Sequence, residues 1–167
     1  MRSFEQIEIK PLQPEQIDAY SMLWQFYLYH QSDFMDDDIG VDGKFDIDDS
    51  YLNDIAYGRE DCDAHLIYFS QSLAGFINVE QTEISGLSIP ELSDIFILPK
   101  YRQHGITSHV VKSMFIDKYP RWHVAVYGQD LTAKEFWERL FKRLAVKDVS
   151  KLPFSESGEF NEYIVSS

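Results

Sequence analysis

Cysteine is almost absent from this sequence. Cys62 stands alone, so no internal disulfide can form. It lies in the run Arg59-Glu60-Asp61-Cys62-Asp63, whose carboxylates disfavour a thiolate, which argues against a nucleophile. Long apolar runs are missing too. No window approaches the ~18–20 apolar residues of a membrane span, and Met1–Glu8 lacks the apolar core of a secretion signal. The expectation is a cytoplasmic protein with no membrane partner.

Positive charge is scarce: 15 Lys and Arg stand against 28 Asp and Glu, for a formal net of −13. The deficit is uneven. Residues 1–63 hold 16 acidic and 4 basic side chains, whereas residues 64–167 hold 12 and 11. A nucleic-acid partner is not expected, because phosphate backbones need a basic face. The acidic third would instead attract cations. Its densest part, Met35–Asp49, contains seven aspartates. It departs from a calcium loop, with Gly40 at the second ligand position and Asp49 in place of the bidentate Glu, so no metal is expected. It reads as a solvated connector or as a surface that recruits a cationic substrate.

The length of 167 residues suits one domain, 1–167, with a sizeable core, and no repeat or linker divides it. Phe4 to Lys10 predicts a first strand. Pro14 to Phe34 predicts a helix whose apolar stripe is Ile17, Tyr20, Trp24, Tyr27 and Leu28. This aromatic stripe reads as core rather than as a substrate wall. A short helix over Ser50–Tyr57 is stopped by Gly58. Strands follow at His65–Ser70 and Leu73–Glu80, joined at Gln71-Ser72. Lys147–Leu152 and Glu159–Val165 predict a closing pair of strands. Strands interleaved with helices indicate an α/β fold with a mixed sheet.

Glu91 to Asp117 organises the rest. Leu92–Leu98 predicts a strand that Pro99 ends. A helix follows, with Ile106, Val110 and Met114 at helical spacing. The first N–H groups of a helix have no internal acceptor, and its dipole is positive there. Gly105 lets the backbone approach an anion, and Arg102 offers a fork of donors suited to phosphate. Arg102, Gln103, His104, Gly105, Ile106, Thr107 and Ser108 thus form either a pyrophosphate cradle or an ordinary strand-to-helix turn. A second strand, Trp122 onward, leads through Asp130 into another helix containing Ala133, Phe136 and Trp137.

Together these stretches resemble the GNAT superfamily of acyl-CoA N-acyltransferases. Arg102 to Thr107 matches that family's R-x-x-G-x-G/A signature, and Asp130, Ala133, Phe136 and Trp137 match its N-x-x-A-x-x-F-Y segment. Three positions depart: Thr107 replaces Gly or Ala, Asp130 replaces Asn, and Trp137 replaces the Tyr that protonates the leaving thiolate. The resemblance implies a mixed, mostly antiparallel sheet of six to seven strands with about four helices on its faces. It implies acetyl-CoA as co-substrate, bound at Arg102–Ser108 and near Asp130. It also implies a gap between the fourth and fifth strands, where the backbone of Phe96 and Ile97 would meet the pantetheine amides.

Acetyl transfer to an amine needs a base for the ammonium proton and an acid for the thiolate. Asp94 is the candidate base, an ionisable residue in an apolar central strand, with a satisfied buried Asp as the bland reading. Trp137 cannot be the acid, since its indole N–H does not ionise usefully. Tyr127 is the candidate, with His123, Tyr29, His30 and solvent also open. The reading is an N-acetyltransferase acting on a cationic small-molecule amine or basic peptide. A non-catalytic acyl-CoA sensor or an interaction module that docks a basic protein are the alternatives, and a homodimer is left open.

Overall fold

The computed structural model describes residues 6–153 and 158–167. Phe4, assigned to the first strand, lies outside that range. Seven strands form one sheet in the order β1-β2-β3-β4-β5-β7-β6. They are β1 (Ile7–Pro11), β2 (Cys62–Phe69), β3 (Ser72–Ile84), β4 (Leu87–Ile97), β5 (Arg121–Tyr127), β6 (Asp148–Lys151) and β7 (Phe160–Ser166). Every pair is antiparallel except β4 with β5, so the sheet is mixed as the sequence implies.

Helices α1 (Ile17–Gln31) and α2 (Asp49–Ala56) cover one face. Helices α3 (Ile106–Val111) and α4 (Leu131–Arg143) cover the other. The strand period of two makes this possible. Leu66, Phe76 and Phe96 pack under α1 and α2, while their chain neighbours Ile67, Ile77 and Ile97 join the α3–α4 core. On β5 the same alternation sends Trp122, Val124 and Val126 to the α3–α4 side, which leaves His123, Ala125 and Tyr127 on the α1 side.

Local chemistry sets the ends of the elements. Asp48 caps α2 by accepting from Tyr51 N–H at 3.1 Å. A two-residue turn at Ser70-Gln71, both with positive φ, joins β2 to β3, one residue earlier than expected. β3 and β4 run further than the sequence indicates, because a second such turn at Ser85-Gly86 extends the hairpin through the polar stretch Gln81–Glu91. Gly75 on β3 allows close approach of β4: a Cβ there would sit 2.0 Å from the Phe96 carbonyl oxygen.

Two features open the middle of the sheet. A bulge falls between Asn78 and Val79, with Leu92 and Asp94 as their partners, so Ser93 is the extra residue on β4. Ser93 Oγ donates to the Asn78 carbonyl at 3.2 Å and holds the kink. β4 and β5 then pair only at Glu91–His123 and Leu92–Val124. From Ser93 to Ile97 the β5-facing edge of β4 has no strand beside it among the described residues.

One histidine spans the closed end of this gap. His123 is 2 % exposed. Its Nδ1 lies 3.2 Å from a Glu91 oxygen and its Nε2 3.4 Å from a Glu162 oxygen, so one ring bridges β4, β5 and β7. Removing the imidazole takes the polar ring from between the two carboxylates. His123→Leu is expected to destabilise the fold by about 1–3 kcal/mol, read from urea denaturation. An unchanged midpoint would show that the two carboxylates tolerate each other.

Candidate functional site

Asp94 stands just past the bulge, half-buried, on the face that α1 covers. Its neighbours come from α1 and β3. Asn78, directly across the strand pair and 1 % exposed, donates Nδ2–H to Asp94 Oδ2 at 3.1 Å. Tyr20 OH donates to Asn78 Oδ1 at 2.7 Å. Tyr27, two turns further along α1, acts electrostatically on the same carboxyl. Its ring is held between Phe76 and Phe96, with centroids 5.6 and 5.7 Å away.

Burial pushes the Asp94 carboxyl up from 3.8 to about 6. The Asn78 bond opposes that rise, Glu80 adds to it, Tyr27 opposes it and Glu91 adds to it. Asp94 is thus charged at neutral pH yet basic enough to accept a proton. Burial drives the Tyr27 hydroxyl well above its ordinary range, with Asp94 adding to the rise, so this phenol keeps its proton and acts as a donor.

Tyr127 lies on the far side of the gap and shares the α1 face with Asp94. Its ring stacks on Phe34 at 6.0 Å and tilts against Phe160 at 4.8 Å. Burial raises its hydroxyl, followed by Glu159, Asp37 and Asp94. Asp94 and the acidic loop therefore both act on Tyr127.

The other acid candidates are placed differently. His123 has both ring nitrogens facing carboxylates. His30 lies with its ring 6.0 Å from Phe96. Tyr29 is 74 % exposed. Trp137 is 6 % exposed in an aromatic cluster with Trp122, Phe136 and Phe141, in the core on the opposite face of the sheet from Asp94.

The turn at the end of β4 is shaped as the motif implies. Pro99–Tyr101 makes a single 3-10 turn, Gln103 and Gly105 both adopt positive φ, and α3 starts at Ile106. A lone left-handed residue before a helix turns the first N–H groups outward. Space for a Cβ on Gly105 is open, with nothing within 4 Å. The His104 ring packs on Phe69 at 4.9 Å. Arg102 folds back: its Nε donates to the Ile97 carbonyl at 2.9 Å, and its guanidinium lies 5.6 Å from the Phe96 ring centroid.

That bond shows that the Ile97 carbonyl faces the open edge of β4. Phe96 differs. Leu98 N–H donates to Ala74 on β3, and by strand parity the Phe96 backbone points to β3 as well. Its ring, not its amide, therefore lines the α1 side. Asp130 caps α4, with its carboxylate accepting from Ala133 N–H at 2.9 Å.

Four contributors were not legible as site residues. Tyr20 and Tyr27 sit in an aromatic stripe that reads as core, and only the three-dimensional direction of their hydroxyls reveals the network. Asn78 is one polar residue in a strand of apolar ones, a weak signal that a buried polar group must be paired. Arg143, at the end of α4, donates to Ser108 Oγ in the first turn of α3. It brings a guanidinium to the Arg102–Ser108 turn that no motif announces.

A groove of about 500 Å³ opens between α1 and the acidic loop, lined in part by Met22, Ile39, Asp38, Asp42 and Asp46. The loop is anchored, since Gln25 on α1 exchanges two hydrogen bonds with the Phe45 backbone, each of 2.9 Å.

No protein-family model and no curated protein matches the sequence. Solved structures do match in shape. A GNAT-family acetyltransferase from Streptococcus pneumoniae is 12 % identical, over 96 % of this chain and 98 % of its own, with a TM-score of 0.58. A spermidine N-acetyltransferase chimera from Vibrio cholerae and hSSAT is 11 % identical over 96 % and 95 %, with a TM-score of 0.61. Arabidopsis thaliana Naa50, solved with a bisubstrate analogue that contains CoA, is 13 % identical over 97 % and 99 %, with a TM-score of 0.56. The seven-stranded mixed sheet with helices on both faces is the GNAT acyl-CoA N-acyltransferase fold.

Proposed function

We propose that this chain transfers an acetyl group from acetyl-CoA to the primary amine of a cationic acceptor, a small molecule or a basic peptide. The observation that carries the reading is the gap between β4 and β5, with the raised carboxyl of Asp94 beside it and the Gly105–α3 turn at its end.

The residues at the gap fit coenzyme A. The pyrophosphate would lie on the backbone from Gln103 to Ser108, with Arg102 and Arg143 as guanidinium donors. The Thr107 hydroxyl is a further donor there. The free edge of β4 at Ile97 suits the pantetheine amides, which can replace missing strand partners. Arg102 occupies the Ile97 carbonyl, so it must release that bond when the amide arrives. The thioester supplies an activated acetyl carbonyl. Asp94 accepts the proton of the ammonium acceptor, directly or through water, which frees the amine lone pair. Tyr127, across the gap, is the protein group assigned to return a proton on the thiolate side.

The acidic third favours a cationic acceptor. Asp37 acts electrostatically on Tyr127, so the loop's field reaches the gap. The neighbour named as a spermidine N-acetyltransferase has the same fold. Changing Asp36, Asp37 and Asp38 together to Asn is expected to raise KM for the acceptor about 3–10-fold at low salt and to weaken the salt dependence of kcat/KM, with CoA affinity unchanged. A wild-type KM at low ionic strength would make the loop a mere connector.

A second reading, an acyl-CoA sensor without turnover, is favoured by one observation: the position of the family's acid holds Trp137, buried in the core. Release of free thiol from acetyl-CoA in the presence of amines separates the two.

A further inference from the structure

We infer that Asn78 and Tyr20 are positioning residues that act as one donor set, fixing the Asp94 carboxylate in its charged, proton-accepting form. The consequence for catalysis rests on the reading of Asp94 as the base; the donor set itself does not.

The bonding leaves little freedom. Asn78 is almost fully buried, so both ends of its carboxamide need partners. Tyr20, fully buried, keeps its phenol proton because burial raises its hydroxyl far above the ordinary range. It therefore donates to Asn78 Oδ1, at 2.7 Å. That fixes the amide orientation, and Nδ2–H must point at Asp94 Oδ2, 3.1 Å away. A flipped amide would set oxygen against the carboxylate and lose both bonds. The Tyr27 hydroxyl, which also keeps its proton, favours the same carboxylate electrostatically. The chain of donors thus has one direction, from α1 through β3 to Asp94, and Asp94 is its only sink.

The set works against its surroundings. Burial disfavours the carboxylate, and Glu80 on β3 and Glu91 on β4 disfavour it further. Tyr27 and Tyr20 from α1, Cys62 from β2 and Tyr127 from β5 are the other titratable groups coupled to Asp94, and each stays neutral at pH 7. The Asn78 donor, with Tyr27 beside it, works against them and favours the ionised Asp94. The bulge at Ser93, bonded to the Asn78 carbonyl, brings the Asn78 and Asp94 side chains into register. A carboxylate has about four lone-pair directions. The Asn78 donor leaves the remainder for an ammonium proton or a water.

Removing one donor to a carboxylate raises its proton affinity about tenfold, a shift of about one pH unit. The test is a 13C NMR titration of the Asp94 carboxyl, assigned by its loss in Asp94→Asn, in the wild-type protein, Tyr27→Phe and Tyr20→Phe. Each tyrosine variant lacks a single oxygen and keeps the ring. Tyr20→Phe should move the midpoint up by as much as about one unit, because the Asn78 amide that it orients is then free to turn its donor away. Tyr27→Phe should move it up as well, because its hydroxyl favours the carboxylate. The acid limb of kcat/KM should shift by the same amounts, with the high-pH plateau retained. A packing role alone would lower the rate at every pH and leave the midpoints where they were, and that result overturns the inference. If the midpoints move while the wild-type protein turns over no amine, the donor set stands and the acyltransfer reading falls.

Discussion

Asp94→Asn should lower kcat by roughly 10²–10⁴-fold, the usual contribution of a general base, and at the same time make the protein more stable at pH 8. Both effects have one cause. The carboxyl is raised from 3.8 to about 6 by burial. Between those values the folded protein holds a proton that the unfolded chain releases, so stability falls as pH rises from about 4 to about 6 and stays lower above that range. The full shift corresponds to about 3 kcal/mol. Asn carries no charge to desolvate, so the variant should recover up to that amount at pH 8 and nothing at pH 4. Its CoA affinity should not change, because the proposed function puts Asp94 on the acceptor side of the gap. Thermal melts at the two pH values, alongside kcat at saturating acceptor, check the pair. Full activity would remove Asp94 from the mechanism, and equal melting temperatures at pH 8 would mean that the carboxylate is not held at a cost.

Gly105→Asp should abolish coenzyme A binding and leave the domain folded. Gly105 has φ +76°, with nothing within 4 Å of a Cβ placed there. A side chain therefore has room, and the left-handed backbone costs a non-glycine residue roughly 1–2 kcal/mol, less for Asp and Asn. The carboxylate would stand beside the pyrophosphate. Juxtaposed like charges cost several kcal/mol, which amounts to a loss of about 10²–10³-fold in affinity. Gly105→Asn carries the same strain without the charge and should bind far better than the Asp variant. Calorimetric titration of the two folded variants decides the matter: equal affinities would mean that the turn does not hold the phosphates.

What could be read from the sequence, and what could not, follows physical lines. The β4-to-α3 turn was legible because a glycine, an arginine and a strand-ending proline act locally, and the structure places Gly105 in the conformation that only local chemistry requires. The two-faced sheet was legible because strand alternation is local too. The gap between β4 and β5 came from resemblance, since two paired residues and one bulge at Ser93 decide it, and no local pattern encodes a partner strand that leaves. The hydroxyls of Tyr20 and Tyr27 were hidden in an apolar stripe, because helical spacing reports which face is buried and not where a polar tip ends. The His123 bridge was hidden for a related reason: Glu91 and Glu162 lie far apart in the chain and meet only through the strand order. Arg143 on α4 reaches Ser108 on α3, a contact that only packing reveals.

The central claim is that this fold carries out acetyl transfer to a cationic amine through Asp94. The most direct test is release of free thiol from acetyl-CoA by the purified protein, followed with a panel of polyamines, aminoglycoside-like amines, basic peptides and neutral or acidic amines. The account predicts saturable release with one or more cationic acceptors, little with acidic ones, and loss of release in Asp94→Asn while coenzyme A still binds. Tight coenzyme A binding with no thiol released by any amine, or a true acceptor that proves neutral or acidic, would contradict it.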